Sequence, residues 1–246
     1  MNKNTVILLL LTLSLVSCES DTTRLKGYEV HGIDISHYQS NVRWDLIAAQ
    51  GISFAFVKAT EGRRHTDSLF CQNWEQMQRF GIKRGAYHFF RPSIDGELQA
   101  RNFMQSVDMS YGDLPPVLDV ETDEDLPREV VVRQMKAWLY WVELEYSIKP
   151  IIYTHYKFYN KFIAGEFDKY PIWIAKYGGE PPRLGAGVKW WFWQYGNRGK
   201  LDGIDGYVDF NVFYGSRDEL ERVCLSGAML SGLVNRPLSQ IRYSAE

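Results

Sequence analysis

The chain has 246 residues, a size that suits one large domain or two small ones and is common for a single α/β barrel. Hydrophobic residues make up 45% and charged residues 24%, which excludes disorder for the bulk, and a formal net charge of −2 leaves no basic excess pointing to nucleic acid. The unusual feature is an aromatic content of 15%, with 8 Trp and 15 Tyr; core packing explains many of these, and sugar-binding clefts also use flat apolar faces with a polar edge.

The first seventeen residues stand apart from the rest. Lys3 gives a short positive start, and Val6–Val16 is an apolar run of signal-peptide length, too short to span a bilayer comfortably. The run closes on Leu15-Val16-Ser17-Cys18, which resembles the lipobox of bacterial lipoproteins, in which the cysteine takes a diacylglycerol and becomes the first residue. A plain signal peptide with an incidental cysteine is the competing reading. The segmentation expected is therefore a signal over 1–17, a tether over 18–28, a barrel domain over 29–215 and a C-terminal tail over 216–246. Export would allow a disulfide between Cys71 and Cys224, but they are far apart in sequence and follow the second and the eighth strand, which are not neighbours in a closed barrel, so none is expected.

From residue 29, short apolar runs alternate with longer amphipathic ones. Strands are predicted at Gly32–Ser36, Phe54–Thr60, Gly85–Phe90, Val117–Glu121, Pro150–His155, Ile172–Tyr177, Trp190–Tyr195 and Val208–Phe213. Helices are predicted at Trp44–Gln50, Asp67–Phe80, Gly96–Val107, Arg128–Tyr146 and Lys157–Ala164, with Arg217–Leu225 expected as a helix packed under the barrel. Strands alternating with helices argue for a parallel sheet, and eight of them for closure. The late strands are joined by loops, so the fold expected is an α/β, single incomplete (β/α) TIM-like barrel with fewer than eight helices. Met135, Trp138, Leu139 and Val142 fall at helical spacing and read as a core-facing stripe; Glu143 and Glu145 beside them read as solvated.

Four acids sit inside strand patterns: Asp34, Asp119, Glu121 and Asp209. A carboxylate among Ile, Val and Leu is costly to bury without partners. Strand parity resolves this: Ile33, Ile35, Leu118, Val120, Val208 and Phe210 face the helices, while the four acids face inward. All four are placed toward the C-terminal ends of their strands, the face where barrel enzymes build their sites, with Asp34 and Asp209 neighbours through closure. Crowded carboxylates raise one another's proton affinity, as a general acid near neutral pH requires. Glycoside hydrolysis commonly uses such paired carboxyl groups. A structural salt bridge explains any one of these acids, but explains four of matching parity poorly.

These motifs, in order, resemble glycoside hydrolase family 25 lysozymes. They are Gly32-Ile-Asp-Ile-Ser-His-Tyr-Gln39, Trp44, Phe54-Ala-Phe-Val-Lys-Ala-Thr-Glu-Gly62, Gly85-Ala-Tyr-His-Phe-Phe90, Pro116-Val-Leu-Asp-Val-Glu121, Ile152-Tyr-Thr154, Trp173-Ile-Ala175, Trp193-Gln-Tyr195 and Val208-Asp-Phe-Asn211, spanning about residues 31–214. The resemblance implies cleavage of the β-1,4 bond between N-acetylmuramic acid and N-acetylglucosamine in peptidoglycan. It implies Glu121 as general acid and Asp119 as the group that orients the 2-acetamido group or the attacking water, with Asp34 and Asp209 completing the acidic floor. Acetamido participation and inversion both remain open. The acidic loop Thr122-Asp-Glu-Asp-Leu is a place where substrate preference would be tuned.

Tyr87 and Phe89 share a parity and are expected to line the cleft; Tyr153, Trp173, Trp193 and Gln194 are further candidates for sugar contacts, each equally compatible with a place in the core. Lys58 and Glu61 are expected in structural or rim contacts. No cofactor or metal is expected: the five histidines show no His-x-His or His-Glu-x-x-His spacing. The partners expected are peptidoglycan glycan strands and, through Cys18, a membrane, with the protein exported and monomeric. A metal-dependent glycan deacetylase and a non-catalytic glycan-binding lipoprotein are the competing functions.

Overall fold

The computed structural model describes residues 24–227. The strands are β1 (His31–Ile35), β2 (Phe54–Glu61), β3 (His65–Thr66), β4 (Lys83–Phe89), β5 (Val117–Asp119), β6 (Ile151–His155), β7 (Ile172–Ala175), β8 (Trp190–Gly199) and β9 (Val208–Phe213). Their order is β1-β9-β8-β7-β6-β5-β4-β2-β3, and β1 also pairs with β2, so eight strands close into a barrel and the two-residue β3 hangs on the rim of β2. The helices are α1 (Trp44–Ala49), α2 (Phe70–Arg79), α3 (Gly96–Ser106), α4 (Arg128–Tyr146), α5 (Tyr156–Phe158) and α6 (Arg217–Val223). This is the expected incomplete barrel.

Period-two alternation sorts the strand residues into two cores. Ile33, Ile35, Ala55, Val57, Leu118 and Val120 face outward and pack with Trp138, Leu139 and Val142 of α4. Facing inward, Phe54, Phe56, Trp173, Phe192 and Phe213 fill the lumen, with Phe56 stacked on Trp173 at 4.3 Å between ring centroids. Much of the aromatic excess is thus barrel filling. Two inward glycines make room for it: a Cβ at Gly32 or Gly85 would fall on the rings of Phe54 and Phe56.

Three expectations need correction. The sheet is not wholly parallel: β9 runs antiparallel to both β8 and β1. The connection over 200–207 is too short for the crossover that a parallel pair requires, so β8 and β9 form a hairpin. The helix predicted over Lys157–Ala164 is α5 followed by a wider π turn at Tyr159–Ile163. Strand β5 ends at Asp119, leaving Glu121 just past it.

Helix α6, opened by a Ser216–Glu219 capping box, lies under the barrel, where Leu220 joins Val30, Phe54 and Phe213 in the lumen cluster. Cys71 and Cys224 are both free thiols. Leu25 and Tyr28, from the stretch expected as a tether, pack against the outer core. Residues 1–23, with Cys18, and 228–246 lie outside the described residues.

Candidate active site

All four acids line one cavity of about 290 Å³ at the barrel mouth. Asp34 comes from β1, Asp119 from β5, Glu121 from the residues after it, and Asp209 from β9. The placement of Asp209 is corrected in one respect. It is the second residue of its strand, not near the C-terminal end. Because β9 runs antiparallel, its N-terminal end reaches the same mouth, and Asp209 stands directly across the ladder from Asp34.

The acids form two pairs. Asp34 is held by two amides, with Gln194 Nε2 and Asn211 Nδ2 donating to its Oδ2 at 2.9 and 2.6 Å. Each amide is oriented in turn. Tyr153 Oη donates to Gln194 Oε1 at 3.0 Å, Tyr177 Oη to the same oxygen at 3.2 Å, and Trp173 Nε1 to Asn211 Oδ1 at 2.8 Å. With both carbonyls engaged, only the NH₂ groups are left to face Asp34. Burial pushes the Asp34 carboxyl up to about 6, against the pull of these donors. Asp209 lacks them; burial and the neighbouring Asp34 charge push it up to about 9. The pair therefore holds one proton, and it sits on Asp209.

Asp119 and Glu121 make the second pair. Burial raises both, and the charges of Glu121 and Asp34 raise Asp119 well above the carboxylate range. Glu121 is less buried and accepts a hydrogen bond from Asp119, which restrains its rise. The pair as a unit therefore holds a proton more tightly than an isolated carboxylate does. His155 fixes the backbone here: its Nδ1 accepts from Phe158 N at 3.2 Å, leaving Nε2 to donate to the Glu121 carbonyl at 3.1 Å. One buried oxygen, Asp119 Oδ1, has no hydrogen-bond partner among the described residues.

Of the expected sugar contacts, Tyr87, Phe89, Tyr153, Trp173 and Gln194 line the cavity. Trp193 does not. It is fully buried in the outer core beside Tyr28 and Trp190, with Nε1 bonded to the Lys176 carbonyl at 2.7 Å. Adjacent strand residues face opposite sides, so the inward Gln194 sends Trp193 outward. Lys58 also lines the cavity, bonded to Glu61 at 2.6 Å and lying 4.9 Å from the Phe89 ring.

Sequence reasoning missed Tyr38, Tyr177 and Asn211 as site residues. Tyr177 shares the parity of Trp173 and Asn211 that of Asp209, so alternation would have found them. Tyr38 belongs to the short 3-10 turn after β1 and carries no such signal. Among the described residues, no group of three or more His, Cys, Asp or Glu is arranged to hold a metal ion.

Carboxyl groups in pairs at the mouth of a β/α barrel, with aromatic walls, place the protein among the barrel hydrolases of polysaccharides. Residues 33–204 match the model for Glycosyl hydrolases family 25. The chain is 44% identical over 200 residues to the uncharacterized protein YegX of Escherichia coli K12, covering 79% of this chain and 73% of that one. It is 35% identical over 205 residues to Lysozyme M1 of Streptomyces globisporus, covering 78% and 70%. Among solved structures, a family 25 glycosyl hydrolase from Bacillus anthracis superposes with a TM-score of 0.77 at 36% identity, covering 82% of this chain and 96% of that one. A bacterial lysozyme from Streptomyces coelicolor gives 0.75 at 32%, covering 80% and 97%. The chain belongs to glycosyl hydrolase family 25, and it is a lysozyme-type glycoside hydrolase.

Proposed function

We propose that the protein cleaves the β-1,4 bond between N-acetylmuramic acid and N-acetylglucosamine in peptidoglycan, with Glu121 delivering the proton to the departing glycosidic oxygen. The observation that carries this reading is the Asp119–Glu121 pair in the cavity wall: two neighbouring carboxyls whose proton affinity burial raises, with Glu121 the less buried of the two. Glu121 gives its proton to the leaving oxygen as the bond from that oxygen to the anomeric carbon breaks. Asp119 orients either the 2-acetamido oxygen, which closes on the anomeric carbon and is then displaced by water, or the water that attacks that carbon directly. The unpartnered Oδ1 of Asp119 suits an acetamido N–H, since a buried acceptor left unbonded is costly. Asp34 and Asp209 form the acidic floor, Tyr87 and Phe89 supply sugar-facing surface, and the more deeply buried Tyr153 and Trp173 back the cavity wall.

The test is digestion of purified sacculi followed by muropeptide analysis. Wild type is expected to release fragments with N-acetylmuramic acid at the reducing end. Gln at position 121 keeps the shape but has no proton to give, so Glu121→Gln is expected to lose about 10²–10⁴-fold in turnover while still binding peptidoglycan. Near-normal activity in the variant would overturn the role of Glu121, and fragments ending in N-acetylglucosamine would overturn the bond.

The same proposal takes residues 1–17 as an export signal, Cys18 as the lipid-bearing first residue, 18–28 as a tether, 29–215 as the catalytic barrel and 216–246 as a tail. The protein would then act as a monomer on the cell envelope. The Leu15-Val16-Ser17-Cys18 junction supports this. Membrane fractionation of wild type against Cys18→Ala tests it: only the wild type is expected in the membrane fraction, and equal solubility of the two would rule out the anchor.

A further inference from the structure

Opposite the catalytic mouth, at the N-terminal ends of the parallel strands, lies a second cleft of about 470 Å³ whose walls are aromatic. Trp190 and Trp191 begin β8, Tyr214 follows the last residue of β9, and Tyr28 precedes β1. Trp190 packs against Tyr214 at 4.9 Å and against Tyr28 at 6.1 Å between ring centroids. Tyr214 is 55% exposed and Trp191 half-buried, and the Tyr214 N–H donates to the Trp191 carbonyl at 2.8 Å, which ties the two strand ends together. The rim of the cleft is charged in both signs, with Lys189, Glu29 and Glu219 in its lining. Nothing in the proposed chemistry uses this face.

The described chain begins at Arg24, three positions before Gly27 of the cleft wall. Cys18 stands only six positions before Arg24, a contour of at most roughly 22 Å. A lipid on Cys18 therefore holds this end of the barrel within reach of the bilayer surface. Trp and Tyr, each with an apolar body and a polar edge, favour the headgroup region. The acid-lined mouth lies at the other end, roughly 17–23 Å away for strands of five to seven residues. Its charge disfavours anionic headgroups. Among the described residues no helix is long and apolar enough to cross a membrane.

We propose that this face, through Trp191 and Tyr214, seats the barrel floor on the headgroup layer of a bilayer and turns the catalytic mouth toward the wall. The inference rests on the reading of Cys18 as lipid-bearing. The anchor supplies attachment, and the face supplies orientation.

The test uses mature, lipidated protein in vesicles of phosphatidylethanolamine and phosphatidylglycerol brominated near the headgroup end of the acyl chains. Wild type is expected to lose part of its tryptophan fluorescence to the bromines, and Trp191→Phe to lose most of that quenched component. Equal quenching of the two proteins, or none, overturns the proposal. Unlipidated Cys18→Ala, added to the same vesicles at high lipid concentration, separates the two readings. Protein that floats with vesicles but is not quenched keeps the anchor and sinks the docked orientation. Trp191-dependent quenching together with a soluble wild type sinks the anchor and keeps the membrane-seeking face. A glycan ligand is the remaining occupant: Trp191-dependent fluorescence change on adding soluble peptidoglycan fragments, with no response to vesicles, would overturn the proposal in its favour.

Discussion

The four carboxyls differ in what each can do because their hydrogen-bond partners differ. Asp34 has two amide donors and stays the anion of its pair; Asp209 has none and carries the proton. This has a consequence for stability. A carboxyl whose folded-state value is raised binds more protons folded than unfolded, so stability falls as pH rises between the two values. For Asp209 that window runs from about 4, the usual unfolded value, to about 9 in the fold. Asp209→Asn replaces the protonated carboxyl with a neutral group of the same shape. Thermal melts are expected to show the variant close to wild type at acid pH and increasingly the more stable of the two as pH approaches 9, with catalysis impaired throughout. A large loss of melting temperature at all pH values would identify Asp209 as a structural ion-pair partner instead. The positions of Tyr87 and Phe89 followed from alternation; Trp193 and Gln194 are adjacent on one strand, so alternation allows only one of them to face the cleft, and the structure turns Gln194 inward and Trp193 into the outer core.

At the scale of elements, close approach decides more than propensity. Gly96 opens α3, where its N–H donates to Gln134 Oε1 of α4 at 2.8 Å. Alanine is the better helix former by about 1 kcal/mol, yet a Cβ here would fall on the Gln134 carbonyl oxygen. Gly96→Ala is therefore expected to destabilise by about 1–3 kcal/mol in denaturant titration, through displacement of α3 from α4. A stabilised variant would show that the two helices separate without strain. The helices α2 to α4 were legible because their apolar positions recur at helical spacing over several turns. The direction of β9 was not, because a strand's pattern of alternation reads the same in either direction, and only the length of the connection distinguishes them.

The whole molecule is a barrel open at one end and stoppered at the other. Leu220 of α6 is buried against the lumen floor with Val30, Phe54 and Phe213, far from the acids. Leu220→Ala leaves a cavity there and is expected to cost about 2–5 kcal/mol in unfolding free energy while turnover of the folded enzyme is unchanged. A parallel loss of turnover at temperatures well below unfolding would mean that the floor is coupled to the mouth.

Residue order determined the closed barrel, the inward parity of the acids and the family, since each depends on local alternation or on motifs in sequence. Tertiary structure decided which acid stands beside which donor. Gln194 and Asn211 reach Asp34 across 160 and 177 positions of chain, and no local pattern encodes that meeting. It likewise decided where the protons rest, because proton affinity follows burial and neighbouring charge, and both are properties of the assembled site.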